Sequence, residues 1–295
     1  MNHLTDYANK CLSMSDDERI VKILEDRWIG YSQAHRIINR LEDLLKQPSI
    51  TRMPSNLIAG ETNNGKTILV KKFYYDHKPF IDPNENCCYH PVFYVQAPNR
   101  PDESKFYNSI LDRLFKSYKF FDRVDKKQQQ VIELLIKVRV KMLIIDEIHH
   151  ILAGTMTAQR SFLNMLKYLT NELSIVIVAV GTQDAFNAIN TDPQLGNRFE
   201  PMVLSKWIDN EEYRNLLFSF ERMLPLHKPS YLIEDKIALK ILSMSEGTIG
   251  EISDVLKKSA VMAVRNGTES ISFKILESID YTPPSERKKQ IDRMR

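Results

Sequence analysis

Gly60-Glu61-Thr62-Asn63-Asn64-Gly65-Lys66-Thr67 follows the spacing G-x-x-x-x-G-K-[ST], a pattern whose chemistry is the binding of phosphate. Chance produces such a match in roughly one chain in a hundred of this length, so its flanks decide whether it means anything. An apolar run, Asn56-Leu57-Ile58-Ala59, precedes it and an apolar helical start, Ile68-Leu69-Val70, follows it. Strand, glycine loop and helix N-terminus in that order point backbone amides and the helix dipole at phosphate oxygens. Gly60 through Ile68 are therefore the candidate nucleotide-contacting residues. Lys66 would neutralise the terminal phosphates as a point charge, and the Thr67 hydroxyl would take one position on Mg²⁺. The competing reading is a glycine turn with a surface lysine.

A second constellation is Met142-Leu143-Ile144-Ile145-Asp146-Glu147, an apolar strand ending in two carboxylates. In a doubly wound sheet the ligand crevice lies outside the carboxyl ends of the strands. There Asp146 would hold Mg²⁺ and Glu147 would orient and polarise the water that attacks the terminal phosphate. An apolar strand ending in Asp-Glu is otherwise a common solvated strand end; the phosphate loop is what gives this one its meaning. Thr182 follows the run SIVIVAVG, where it could sense the terminal phosphate or serve only as a turn residue. His149 and His150 are adjacent, and neighbouring histidines tend to diverge rather than share a metal, so solvent or packing roles are expected.

The elements that must position these groups alternate. Strands are expected at residues 56–60, Val92–Gln96, Met142–Asp146, Ile175–Val180 and Met202–Leu204. Helical periodicity fills the gaps at Ser104–Tyr118, Lys126–Val140 and Ala158–Leu169. Such alternation predicts an α/β fold, a parallel five-stranded sheet flanked by helices. Beyond Trp207 the pattern is all-helical and reads as a small lid domain. The expected division is a polar N-terminal extension at 1–25, an α/β core at 26–205 with a leading helical segment, a helical lid at 206–282, and a basic flexible tail at 283–295. That tail, PPSERKKQIDRMR, is expected to be dispensable for folding and nucleotide binding.

Of the 295 residues, 43% are hydrophobic, enough for a packed core with a smaller companion domain. No apolar run reaches membrane-spanning length, and the polar, acidic start does not resemble a secretory signal. Three cysteines, Cys11, Cys87 and Cys88, offer no metal-ligand spacing. A cytoplasmic protein with no membrane association is expected. The formal charge of +3 is too small to identify a nucleic-acid binder by itself.

The chain resembles the TniB/TnsC-type AAA+ ATPases that regulate DNA transposition, relatives of the IstB helper ATPases. The resemblance is carried by Trp28-Ile29-Gly30-Tyr31, residues 52–58 (RMPSNLI), Gly60–Thr67, Val95-Gln96-Ala97-Pro98, Pro101-Asp102-Glu103, residues 145–150, Val180-Gly181-Thr182 and Asn197-Arg198-Phe199. These lie in family order and span about Trp28 to Leu256. The resemblance implies an AAA+ P-loop fold and an ATP- and Mg²⁺-dependent homo-oligomer, a ring or helical filament on duplex DNA. It also implies partners: a transposase and a TniQ-like target-selecting protein. Residue by residue, Lys66 and Thr67 match the Walker A pair, Asp146 and Glu147 the Walker B pair, Thr182 the first sensor and Arg198 the arginine finger. The Ile29-Gly30 segment matches the lining of the adenine pocket. One departure is Glu251, which stands after Thr248-Ile249-Gly250 where many AAA+ lids carry a second-sensor arginine. It favours a slow ATPase acting as a switch.

Basic and aromatic residues interleave between Ser104 and Lys127, with Lys105, Lys119 and Arg123 among Phe106, Tyr107, Phe120 and Phe121. Such a stretch can track a phosphate backbone, or it can be an ordinary solvated helix with a buried aromatic face. The resemblance favours DNA contact here, mostly to backbone and with little sequence preference. Alternatives within the ATPases are a helicase loader or replication initiator; outside them, a non-hydrolysing, nucleotide-stabilised scaffold. Arg198 could also be a structural arginine paired with Glu200.

Overall fold

The computed structural model describes residues 3–50, 52–84, 87–119, 121–190 and 198–293. By its contacts the chain divides into two units: a helical unit of Met1–Ser32, Asn63–Gly65 and Ser205–Arg295, and an α/β unit of Gln33–Thr62 and Lys66–Leu204.

The α/β unit is built on β1 (Ser55–Gly60), β4 (Val92–Gln96), β5 (Met142–Asp146), β6 (Val176–Gly181) and β7 (Phe199–Leu204), in the order β4-β5-β6-β1-β7. All neighbours are parallel. The three inner strands are buried along their whole length, which is why they read as continuous apolar runs rather than alternating ones. Helices α3 (Ser32–Lys46), α4 (Lys66–Asp76), α5 (Glu103–Arg113), α6 (Val124–Lys137), α7 (Met156–Leu173) and α8 (Gln183–Asn190) supply the flanking layers. Phe106, Tyr107, Ile110 and Leu111 of α5 and Phe162, Leu166 and Leu169 of α7 pack with Leu143, Ile145 and Ile177 of the sheet in one core. A small antiparallel hairpin, β2 (Phe80–Asp82) with β3 (Cys87–Tyr89), adds an element the sequence pattern did not suggest. The strands agree with the expected positions to within one residue at each end, except that β7 begins three residues earlier, at Phe199.

The helical unit contains α1 (Asp6–Cys11), α2 (Asp16–Leu24), α9 (Glu211–Met223), α10 (Asp235–Ser245), α11 (Ile249–Arg265), α12 (Phe273–Ser278) and α13 (Pro284–Arg293). Its core gathers Tyr213, Leu217, Ile241, Ile252, Leu256 and Ile275, with Ile23 of α2 among them. Two parts of the expected division change here. The N-terminal residues are not an extension: Ser15 and Glu18 form a capping box on α2, and the Thr5 amide donates to Arg222 O at 2.9 Å. Arg19, 2% exposed, bonds Glu269 at 2.6 Å. Nor is the segment after Pro283 a featureless tail, since it forms α13 and places Arg287 on Glu251. Arg295 lies outside the described residues. Among the described residues no helix is long and apolar enough to cross a membrane, and Cys11, Cys87 and Cys88 are free thiols.

Candidate nucleotide site

β1 delivers the chain into the glycine loop and α4 begins at Lys66. The loop turns through left-handed backbone at Asn63 (φ +59°) and Gly65 (φ +78°), the kind of turn that aims successive amides inward at an anion. Glycine is the residue that adopts this conformation without penalty. Lys66 Nζ donates to the carbonyls of Gly60 at 2.9 Å and Glu61 at 2.6 Å. Burial lowers the lysine's pKa, opposed by the charges of Glu147, Asp146 and Glu61. Ile68 is 46% exposed at the start of α4.

β4 and β5 pair so that Gln96 lies beside Asp146, which brings the second constellation to the same edge of the sheet as the end of β1. Asp146, 2% exposed, accepts from the Thr67 hydroxyl at 2.9 Å and the Tyr94 hydroxyl at 2.8 Å. Its other oxygen takes the Glu147 amide at 2.8 Å. Burial, with the nearby Asp146 charge, pushes the Tyr94 phenol well above its ordinary pKa; it therefore stays a donor. Every donor to this buried carboxylate is neutral. Thr67 and Asp146 offer hard oxygens within hydrogen-bond distance of each other, the donor set that suits Mg²⁺, and Lys66 completes a site of the right chemistry for a nucleotide polyphosphate.

Glu147 leaves the strand in left-handed backbone, φ +56°, uncommon for a residue with a side chain and characteristic of functional turns. His149 Nδ1 lies 3.2 Å from Glu147 Oε2, an ion-pair distance without hydrogen-bond alignment. The expected divergence of the two histidines is not what is seen: ligand atoms of Glu147, His149 and His150 lie within 4.8 Å of one another. Tyr94 is thus a site neighbour the sequence reading missed, and His149, expected there to have a solvent or packing role, lies beside Glu147 instead. A tyrosine inside a buried strand must find a partner for its hydroxyl, and that was the available signal.

Thr182 follows directly on β6, at the carboxyl edge of the sheet with Asp146 and the glycine loop. Arg198 is at the opposite edge: it precedes β7, and Ser55 N donates to its carbonyl at 3.2 Å. From the Ser55–Phe199 pair to the Gly60–Leu204 pair is five residues of parallel strand, about 16 Å, so Arg198 does not belong to its own chain's phosphate site. Its guanidinium donates to Asn171 Oδ1 at 3.0 Å. Glu200 is not its partner but Arg40's, at 2.7 Å. Asn197 lies outside the described residues. In the helical unit, Ile29 packs on the core, Gly30 is exposed, and Tyr31 meets Trp207 edge-on at 5.1 Å. Glu251 is buried and paired with Arg287.

Of the surface cations, Lys105 lies 3.7 Å from Asp102 and Arg123 2.9 Å from Asp125, both with exposed side chains. The Lys119 amide caps on Asp122 at 3.1 Å. Phe115 and Phe121 are 97% and 93% exposed, so this stretch does not bury all of its aromatics; Phe120 lies outside the described residues.

The fold has solved counterparts. Aeropyrum pernix ORC1, solved in complex with DNA, superposes with a TM-score of 0.64 at 16% identity over 88% of this chain and 68% of that one. Aeropyrum pernix ORC2, solved as ADPNP-ADP complexes, gives 0.61 at 15% over 86% and 70%. Cdc6p from Pyrobaculum aerophilum gives 0.59 at 16% over 88% and 68%. No curated protein matches the chain. At these identities the likeness establishes the fold alone, an AAA+ P-loop α/β unit with a C-terminal helical region. The family model "Bacterial TniB protein" matches residues 19–209, most of the chain and all of the residues gathered around Lys66 and Asp146, and the chain belongs to the TniB family.

Proposed function

We propose that this protein binds ATP with Mg²⁺ and hydrolyses it, and that the nucleotide state controls its assembly on duplex DNA during transposition. One observation carries the first half: the buried carboxylate of Asp146 meets Thr67 and Tyr94 at the carboxyl edge of the sheet, with Glu147 next along the chain. Mg²⁺, when bound, would supply compensation of the phosphate charge. Thr67 and Asp146 would hold it, Lys66 would leave its loop carbonyls for the terminal phosphates, and Glu147 would orient the attacking water, with Thr182 beside it.

The second half rests on the TniB family match and on Arg198, which stands away from its own site with a neutral side-chain partner. Its planar guanidinium can bridge phosphate oxygens of a neighbouring subunit, so each subunit would carry part of the next one's site. Duplex DNA would be held through backbone phosphates by Lys105, Lys119 and Arg123, and the assembly would link a TniQ-like selector to the transposase. The replication-initiator reading draws on the fold alone, whereas the family match covers the site residues.

Sedimentation with and without ATP and duplex DNA tests this reading. Oligomers are expected on DNA only with ATP or a non-hydrolysable analogue. Mixing Arg198→Ala with Lys66→Ala subunits should restore part of the hydrolysis that each lacks alone. Full activity of Arg198→Ala by itself, or nucleotide-independent assembly, would sink the model. Lys105→Ala should lower the salt dependence of DNA binding by about one ion.

A further inference from the structure

Glu251 occupies the first turn of α11 and is 6% exposed. Four donors converge on it. Arg287 approaches with both nitrogens, Nη1 to Oε1 at 3.0 Å and Nη2 to Oε2 at 2.7 Å. The Tyr281 hydroxyl donates at 2.5 Å, and Asn63 Nδ2 donates at 3.1 Å. Burial opposes ionisation, but the bonds from Arg287, Tyr281 and Asn63 outweigh it and hold the carboxyl below its ordinary pKa.

Asn63 is a residue of the phosphate loop, and its backbone is also gripped: Gly250 N donates to Asn63 O at 3.0 Å. The approach is so close that a Cβ on Gly250 would fall 1.9 Å from Asn63 Oδ1. Asn63 is the non-glycine residue that the loop holds in left-handed backbone, φ +59°, a conformation that persists only when its surroundings impose it. Both ends of Asn63 are therefore fixed by the start of α11, and the carboxylate doing half of that work has its charge balanced by α13.

We propose that Glu251 and Arg287 are positioning residues for the phosphate loop, so that the docking of helix α13 sets the affinity of the loop for nucleotide. The inference rests on the reading of residues 60–67 as an ATP site. A preformed loop binds phosphate without the cost of ordering it first. Without Arg287, Glu251 is a buried charge with neutral donors only, a state relieved by turning to water and releasing Asn63. Coupling of this kind is reciprocal: nucleotide in the loop must also tighten α13. A protein that captured α13 would weaken nucleotide binding, and the position usually held by a second-sensor arginine has become a relay to the C-terminal helix.

The test is calorimetric titration of the full-length chain with Mg·ATP, together with amide hydrogen exchange over residues 284–293. Arg287→Ala and Glu251→Gln should each weaken ATP binding about tenfold, the loss of one charge-assisted contact. The double variant should be no weaker than the worse single variant, and Arg287→Lys should recover part of the loss. ATP should slow exchange in α13 of the parental chain and not in Glu251→Gln, a response that a merely structural pair would not give. Should Arg287→Ala fail to fold, the nearly isosteric Glu251→Gln decides. Affinities within twofold of the parental value, with Lys66→Ala still abolishing binding, would overturn the relay and leave the ATP site standing. Absence of ATP binding by the parental chain would overturn both.

Discussion

The two units treat buried charge in opposite ways. At the carboxyl edge of the α/β sheet, Asp146 is given only neutral donors, from Thr67, Tyr94 and a backbone amide, while Lys66 donates to carbonyls. Among the described residues of the helical unit the buried charges meet their opposites, Arg19 with Glu269 and Glu251 with Arg287. Unmated charges in a preorganised pocket keep their electrostatic capacity for a ligand. Mated ones spend it on holding elements together, and breaking such a pair leaves an uncompensated charge. Under the proposed function the carboxylate with neutral donors serves the ligand directly, whereas the paired charges hold elements in place, the Asn63 turn of the loop among them.

The sharpest way to break this contrast is Lys66→Ala. Removing the ammonium should lower ATP affinity at least a hundredfold, since phosphate charge then lies uncompensated in the loop, while the thermal midpoint moves little. Calorimetry and a melting curve on the same sample check both. Arg19→Ala should do the reverse, lowering stability by about 3 kcal/mol with ATP affinity kept within twofold.

Acid should strike the helical unit's mated pairs. Glu251 and Glu269 both have pKa values below their ordinary 4.5, despite burial, because of bonds from Arg287 and Arg19 respectively. A depressed carboxylate pKa contributes stability that is fully present above the unfolded value and lost as pH falls through the folded one. Melting curves should therefore be flat in this contribution above about pH 5 and decline below about 4.5. Raised stability between pH 5 and 4 would contradict the pairing. The smallest effect is expected from Tyr94→Phe, which removes one of the donors to Asp146: a loss of about 1.5 kcal/mol in chemical denaturation and a modest rise in the Mg²⁺ concentration needed for half-maximal ATP hydrolysis.

The same contrast explains what was legible in the sequence. β5 and β6 are buried on both faces and so read as unbroken apolar runs, and the phosphate loop and the Asp146-Glu147 pair are each contiguous in the chain. Their meeting followed from topology alone, because parallel strands bring their carboxyl ends to one edge. The helical unit is held by contacts that sequence spacing does not encode: Glu251 meets Asn63 across 188 positions and Arg19 meets Glu269 across 250. The segment around Arg287 is charged and proline-led, the composition of a loose tail, and one long-range ion pair leaves no periodic trace. The short helix α1 was hidden for a similar reason, its signals being a cap and single buried residues, Ala8 and Cys11, whereas helical spacing from Ile20 did point to α2, which begins earlier, at Asp16. Tyr94 fell between these cases, visible as a strand residue but silent about which carboxylate its hydroxyl would reach.

In the proposed reaction Glu147, in its left-handed turn beside Asp146, activates the water that cleaves ATP. Phosphate release by the parental chain and by Glu147→Gln, measured at saturating Mg·ATP with and without duplex DNA, tests it most directly. Glu147→Gln should bind ATP as tightly as the parental chain and release phosphate at least about a hundredfold more slowly, a typical contribution of general-base catalysis, accumulating the ATP-bound assembly on DNA. Parental rates of phosphate release from Glu147→Gln, with ATP bound at Lys66, would contradict it.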